Sequence, residues 1–287
     1  GSSIAREVKK HKLARIISAC DISQKALKEI KALRLVNEVT ADLKTSCKNA
    51  DLIFICSPLS TYEAIFLKIK ECANKNVIIT DVGSSKLGAI KLSEKILNKD
   101  FCFIPGHPIA GTEESGPKAG LLDLFKNRWF IITPGKLTKA KQKKQIEQVW
   151  KKFGSKVTTM SAQSHDNIMA ITSHIPHLIA YNIVGTASKL EEKIKSEVIK
   201  FSASGFRDFT RIASSDPTMW RDIVISNKNQ ILFMLKRFNK DLNHLEKAIR
   251  SENKKELFNI FKNTRNIRKK IIQAGQDSKA ANFGRKN

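Results

Sequence analysis

Short apolar runs recur through the first part of this chain with amphipathic stretches between them, and none follows Ser161. The runs are Leu13–Ala19, Leu35–Val39, Asp51–Cys56, Asn76–Asp81 and Phe101–Pro105. Arg128–Thr133 and Lys156–Thr159 add two more, flanking a helical pattern over Lys139–Phe153. Between them, Ser23–Ala32 and Thr61–Ala73 carry apolar residues at the helical period. A parallel strand-to-strand connection needs a crossover long enough for a helix, so this alternation predicts βαβ units. The expected first half is α/β, a doubly wound parallel sheet with helices on both faces.

The second half reads as helix only. Ser161–Thr172, Pro176–Leu190, Pro217–Ile249 and Lys254–Ala274 carry helical patterns, with the third unusually long. Asp216-Pro217 marks a helix start, and Pro176 suits a first turn. The domains expected are 1–160, 161–275 and a frayed tail over 276–287.

A chain of 287 residues can bury two cores. No apolar run approaches the ~20 residues that span a bilayer. The five cysteines, Cys20, Cys47, Cys56, Cys72 and Cys102, form no CxxC pair, which predicts reduced, mostly buried thiols and a cytoplasmic location. A formal charge of +25 raises the question of nucleic acid. The excess is chiefly lysine spread over helical segments, without zinc-finger spacing, an aromatic RNP strand or a basic arm, so no nucleic-acid partner is expected. No metal site is expected either, because the histidines are dispersed.

Doubly wound sheets bind ligands at the carboxyl ends of their strands. Asp21 follows the first run, about 20 residues after Gly1, the spacing of an acid that binds the ribose of NAD. Helix capping by Asp21 or Ser23 explains the same residue equally well. Gly1 fits the third glycine of a G-x-G-x-x-G turn, so the first strand and two glycines are expected to be missing. Ser57 and Pro58 follow one strand and Gly83, Ser84 and Ser85 another, where small residues line a dinucleotide or a serine caps the helix Lys86–Leu97.

Two stretches gather residue types that packing alone rarely demands. Phe201–Asp222 holds Arg207, Asp208, Arg211, Asp216, Trp220 and Arg221. Gly106–Gly116 (GHPIAGTEESG) places His107 before a proline in a loop with carboxylates. With SHIPH at 173–177, they suggest one anion-binding redox site. His165-Asp166 reads as structural, and His11 and His244 as surface residues.

These motifs, with DVGSSK at 81–86 and GFRDFTRIASSDPTMWRDI at 205–223, give a chain that resembles the prephenate dehydrogenase family (prephenate, arogenate and cyclohexadienyl dehydrogenases) from Gly1 to about Ala274. The resemblance implies a Rossmann-type domain, a helical domain that dimerises, and NAD(P)-dependent oxidative decarboxylation in tyrosine biosynthesis. It implies NAD, with NADP possible, and an anionic substrate, prephenate or arogenate. His107 resembles the catalytic histidine and Ser84 the serine that hydrogen-bonds it or the substrate hydroxyl. Arg211 resembles the arginine that binds a substrate carboxylate, with Asp208 and His177 as polar partners that hold this part of the pocket. Pairing with Asp208, three residues earlier on one helical face, would keep the Arg211 fork oriented. Glu113, Trp220 and His174 match positions near the substrate.

Two other readings compete. A hydroxyacid dehydrogenase generally depends on a lysine in its helical domain, which the histidine motifs do not match. A catalytically impaired fragment or nucleotide-binding protein of the same fold would show no hydride transfer.

Overall fold

The computed structural model describes residues 1–190, 197, 200, 201 and 204–273. Eight short strands occur among them: β1 (Ser18–Cys20), β2 (Glu38–Thr40), β3 (Leu52–Ile55), β4 (Ile78–Asp81), β5 (Cys102–Ile104), β6 (Gly106–Pro108), β7 (Trp129–Ile132) and β8 (Lys156–Thr159). Helices α1 (Ser2–Lys10), α2 (Gln24–Leu33), α3 (Leu43–Cys47), α4 (Tyr62–Cys72), α5 (Leu87–Ile96) and α6 (Ala140–Lys152) alternate with them. After β8 come α7 (Ala162–Met169), α8 (Ile175–Ser188), α9 (Ser204–Thr210), α10 (Pro217–Ser226), α11 (Lys228–Arg250) and α12 (Lys254–Gln273). The expected frayed tail lies outside the described residues.

Side chains alternate along a strand, and here the alternation sorts them into two cores. Leu52 and Phe54 of β3, Ile78 of β4, and Cys102 and Ile104 of β5 join a cluster with Ile4, Ile146 and Trp150. Ile53 and Ile55, Ile79, and Phe101 and Phe103 join another with Phe66, Ile69 and Ala89. The sheet is thus covered on both faces, as a parallel sheet requires. Trp150 anchors the first core, stacked on Phe130 at 3.9 Å between ring centroids.

The strands do not form one ladder. Among the described residues β1 pairs only with β2, β3–β4–β5 form a parallel set, and β6–β7–β8 form a third. The expected parallel pairing holds for β1–β2, β3–β4–β5 and β7–β8, and β6 adds an antiparallel pair with β7 that places His107 opposite Ile131. His107 therefore sits on a strand and not, as expected, in a loop. The first run is also shorter than expected: Lys12 turns with φ 52°, and pairing begins only at Ser18. Of the cysteines, only Cys47 and Cys102 are buried.

The chain divides into two compact units, Gly1–Ile231 and Leu232–Asn287. In the second, α11 turns through Glu252 (φ 47°) into α12, and His244 pairs with Glu256 at 2.7 Å. Leu232, Phe233, Leu242, Phe258 and Phe261 remain exposed there. No helix among the described residues is long and apolar enough to cross a membrane.

The expected continuous helix Pro217–Ile249 is broken at Asn227. Asp216 caps its first part by accepting from Met219 N at 2.8 Å, with Pro217 in the first turn. The expected helices Ser161–Thr172 and Pro176–Leu190 are instead joined by a π turn over Ala170–His174. Proline lacks the N–H an α-helix uses and crowds the carbonyl four residues back, and a widened turn relieves both.

Candidate active site

β4 ends in Asp81, which is buried together with Lys86 five residues on. Lys86 Nζ donates to an Asp81 oxygen at 2.5 Å and to the Gly106 carbonyl at 2.8 Å. Asp81 also accepts from Tyr62 OH at 2.8 Å, Gly83 N at 3.0 Å and Gly106 N at 3.0 Å. A buried ion pair survives only with such saturation, and burial still lowers the Lys86 pKa against the pull of Asp81. The pair ties the end of β4 to the start of β6. Gly106 has no room for a side chain: an added Cβ would fall 2.2 Å from the Phe130 ring. Gly83 is likewise closed in by Leu59 and Tyr62, both 2.8 Å from an added Cβ.

His107, next along β6, is half-buried. Its Nδ1 lies 2.9 Å from His165 Nε2, and His165 Nδ1 lies 2.7 Å from Asp166 Oδ1. Asp166 accepts from Lys86 N at 2.8 Å and Leu87 N at 2.9 Å, capping α5 from another element. Neither Ser84 nor Ser85 is that cap; Ser85 instead shares a hydrogen bond with Ser226 at 2.7 Å. His165-Asp166, expected to be merely structural, thus touches His107. Burial holds the His107 pKa well below the usual histidine value, reinforced by His165, Lys86 and His174.

Asn227, freed by the helix break, donates to the Asp166 carbonyl at 2.8 Å and lies 3.1 Å from His174 Nδ1. His174 is fully buried, and burial brings its pKa down to about 4. His177, in the first turn of α8, bonds the Ser173 carbonyl through Nδ1 at 2.8 Å. Its ring stacks on Trp220 at 3.7 Å, so α8 and α10 meet through these two aromatic faces. Burial also lowers the His177 pKa, with the Arg211 charge acting in the same direction.

Arg211 Nη1 donates to Glu113 at 2.7 Å. The expected pairing of Arg211 with Asp208 is corrected: Asp208 is exposed, and no bond between the two occurs among the described residues. Nor does a Ser84 hydroxyl bond to His107 occur among them; the Ser84 backbone lies against His174 instead. Arg211 Nε and Trp220 Nε1 are buried polar atoms without a hydrogen-bond partner among the described residues. Unpaired buried donors and acceptors are costly, and a polar ligand would satisfy them.

At the strand ends, α1 begins at Gly1 with no side-chain cap, and a Cβ on Gly1 would lie 3.5 Å from that of Cys56. An uncapped helix start beside Cys56-Ser57-Pro58 offers backbone N–H groups to an anion. Ser23, not Asp21, caps α2; Asp21 accepts from Ser23 N through Oδ1 at 2.8 Å. Sequence reasoning missed Asp222, which accepts from Ser60 N and Oγ and from Arg221 Nε at 2.9 Å. Thr61 closes the Ser57–Pro58 turn through its N–H and hydroxyl, and neighbouring Ser60 is the residue through which Asp222 links that turn to the helix of Trp220.

Two family models match this chain. "Prephenate dehydrogenase, nucleotide-binding domain" covers residues 4–159, and "Prephenate dehydrogenase, dimerization domain" covers 161–263. A cyclohexadienyl dehydrogenase of Zymomonas mobilis is 36% identical over 93% of this chain and 91% of its own length. A prephenate dehydrogenase of Bacillus subtilis is 31% identical over 93% of this chain and 72% of its own. The structure of Aquifex aeolicus prephenate dehydrogenase with hydroxyphenyl propionate and NAD+ superposes with a TM-score of 0.87 at 33% identity, covering 94% of both chains.

Proposed function

The chain belongs to the prephenate dehydrogenase family of oxidoreductases, and from that premise we propose that it catalyses NAD-dependent oxidative decarboxylation of prephenate to 4-hydroxyphenylpyruvate, of arogenate to tyrosine, or of both, in tyrosine biosynthesis. The observation that carries this reading is His107. Burial and the neighbouring Lys86 and His174 favour its neutral form, so it is a base at neutral pH. It would take the proton of the ring hydroxyl, and loss of carbon dioxide follows because the ring becomes aromatic.

Bound NAD supplies the hydride acceptor. The α1 start at Gly1, with Ser57, Pro58 and Gly83 at the neighbouring strand ends, would hold its pyrophosphate and nicotinamide halves. Asp21 keeps an oxygen for the ribose hydroxyls, and its charge disfavours the extra phosphate of NADP. Arg211 offers its unpaired Nε and a planar fork to a substrate carboxylate. Glu113, His174, His177 and Trp220 would line the rest of the pocket, with Ser84 close to the hydroxyl and exposed Asp208 at its rim. The family's dimerization domain and the exposed apolar residues of α11 and α12 support a homodimer.

Prephenate-dependent NADH formation tests the proposal, with arogenate in parallel. His107→Asn should lower kcat by about 10²–10⁴-fold, the usual worth of a general base, while prephenate affinity measured by calorimetry stays within ~3-fold. Near-normal turnover by this variant would remove His107 as the base. Absence of NADH from both substrates, in a folded protein that binds NAD, would remove the substrate assignment.

A further inference from the structure

We propose that His165 and Asp166 complete a hydrogen-bonded proton chain with His107, which fixes the tautomer of His107 and receives positive charge from it during turnover. The inference deepens the proposed function and rests on its reading of His107 as the base. His165 is a positioning residue that acts through His107.

The chain can be read from the carboxylate outward. Both Asp166 oxygens face donors, since Lys86 N and Leu87 N approach at 2.8 and 2.9 Å from the start of α5. Backbone N–H groups and the positive end of a helix stabilise an ionised carboxylate. Ionised Asp166 accepts only, so the proton on the 2.7 Å bond belongs to His165 Nδ1. Neutral His165 then presents a lone pair at Nε2. His107 Nδ1, 2.9 Å away, must carry the proton of that contact, because otherwise two lone pairs would face each other. His107 Nε2 is left with a lone pair, the form a general base needs.

The same bonds give the abstracted proton's charge somewhere to go. As the substrate O–H bond breaks, an N–H bond forms at His107 Nε2. The Nδ1 proton then moves along the 2.9 Å contact to His165 Nε2. His165 becomes the imidazolium and pairs with Asp166, both fully buried. The electrons leave with the hydride to NAD, so the chain carries protons only. Lys86, His165 and His174 all face His107, and Asp81 neutralises Lys86 from behind. Asp166 is therefore the carboxylate through which positive charge on His107 is offset.

The first test needs no turnover. Long-range 1H–15N correlation spectra of the whole protein with labelled histidine report the tautomer, with His107 assigned by its loss in His107→Asn. A protonated Nδ1 and bare Nε2 on His107 are expected, and the opposite tautomer overturns the proposal. The second test is kinetic. His165→Gln supplies an amide oxygen that accepts from Nδ1 but takes no proton, so the tautomer should persist while kcat falls about 10-fold. His165→Phe supplies no acceptor, and kcat should fall about 10²-fold or more with both KM values within ~3-fold. A Phe variant within ~3-fold of wild-type kcat overturns the chain. If the Phe variant does not fold, the Gln variant decides: unchanged kcat overturns the charge transfer. If wild-type protein makes no NADH from prephenate or arogenate, the substrate reading fails, while the tautomer spectrum still decides the chain.

Discussion

Lys86 shows at the scale of one residue how the site is held together. Its ammonium is fully buried between Asp81 and the Gly106 carbonyl. Removing one member of such a pair strands the other, which costs about 3–5 kcal/mol. Lys86→Met should therefore lower stability by that amount in urea unfolding, and adding Asp81→Asn should recover part of it because no lone charge remains. A loss under ~1 kcal/mol for Lys86→Met would mean that Tyr62 and the two glycine N–H groups suffice for Asp81. The motif carrying Lys86 was legible in the sequence; its burial was not, since a lysine between serine and leucine looks like a helix start on the surface. His165-Asp166 was harder still. A polar pair in a first helical turn is common, and only the tertiary placement of α7 against β6 brings it to His107. Asp208 erred the other way: three residues from Arg211 suggested a pair, whereas Arg211 reaches across 98 residues to Glu113.

Helix interruptions place several side chains of the proposed site. The π turn at Ala170–His174 and the break at Asn227 each interrupt a helix that periodicity alone reads differently. Pro176 announced a boundary in the sequence, yet a boundary and a widened turn have the same signature. Asn227 gave little signal, because its amide is occupied by Asp166 and His174, partners distant in sequence. The strands were legible where side chains serve two cores, as in β3 to β5. They were overdrawn at Leu13–Ala19, where Leu13 and Ile16 are exposed. Between elements, Asp222 joins α10 to the Ser60 turn, and its pKa lies below the carboxylate norm because the bonds from Ser60 and Arg221 outweigh burial. Hydrogen bonds to a charged group contribute about 1.5–3 kcal/mol. Asp222→Ala should cost about 2 kcal/mol by that measure and raise the KM for NAD more than that for prephenate. Equal changes in the two KM values would detach Asp222 from the cofactor side.

At the scale of the whole molecule, acid acts on the fold through the buried histidines of the proposed site. His174 is held near pKa 4 by burial, against about 6.5 in an unfolded chain. The unfolded state therefore binds a proton that the folded state refuses. Stability from this group is complete above pH ~6.5 and is lost as pH falls through about 4. From the two pKa values, His174 alone should remove about 2 kcal/mol between pH 7 and pH 5. His107 and His177, also lowered by burial, act in the same direction. The formal charge of +25 adds self-repulsion that grows as carboxylates protonate. Salt separates the two causes, because it screens exposed charges strongly and buried groups little. Urea midpoints at pH 7 and pH 5, each at low and at ~0.5 M salt, should retain a loss of about 2 kcal/mol or more at high salt. A pH dependence that vanishes at high salt would assign acid sensitivity to surface charge and leave the buried histidines without a part in it.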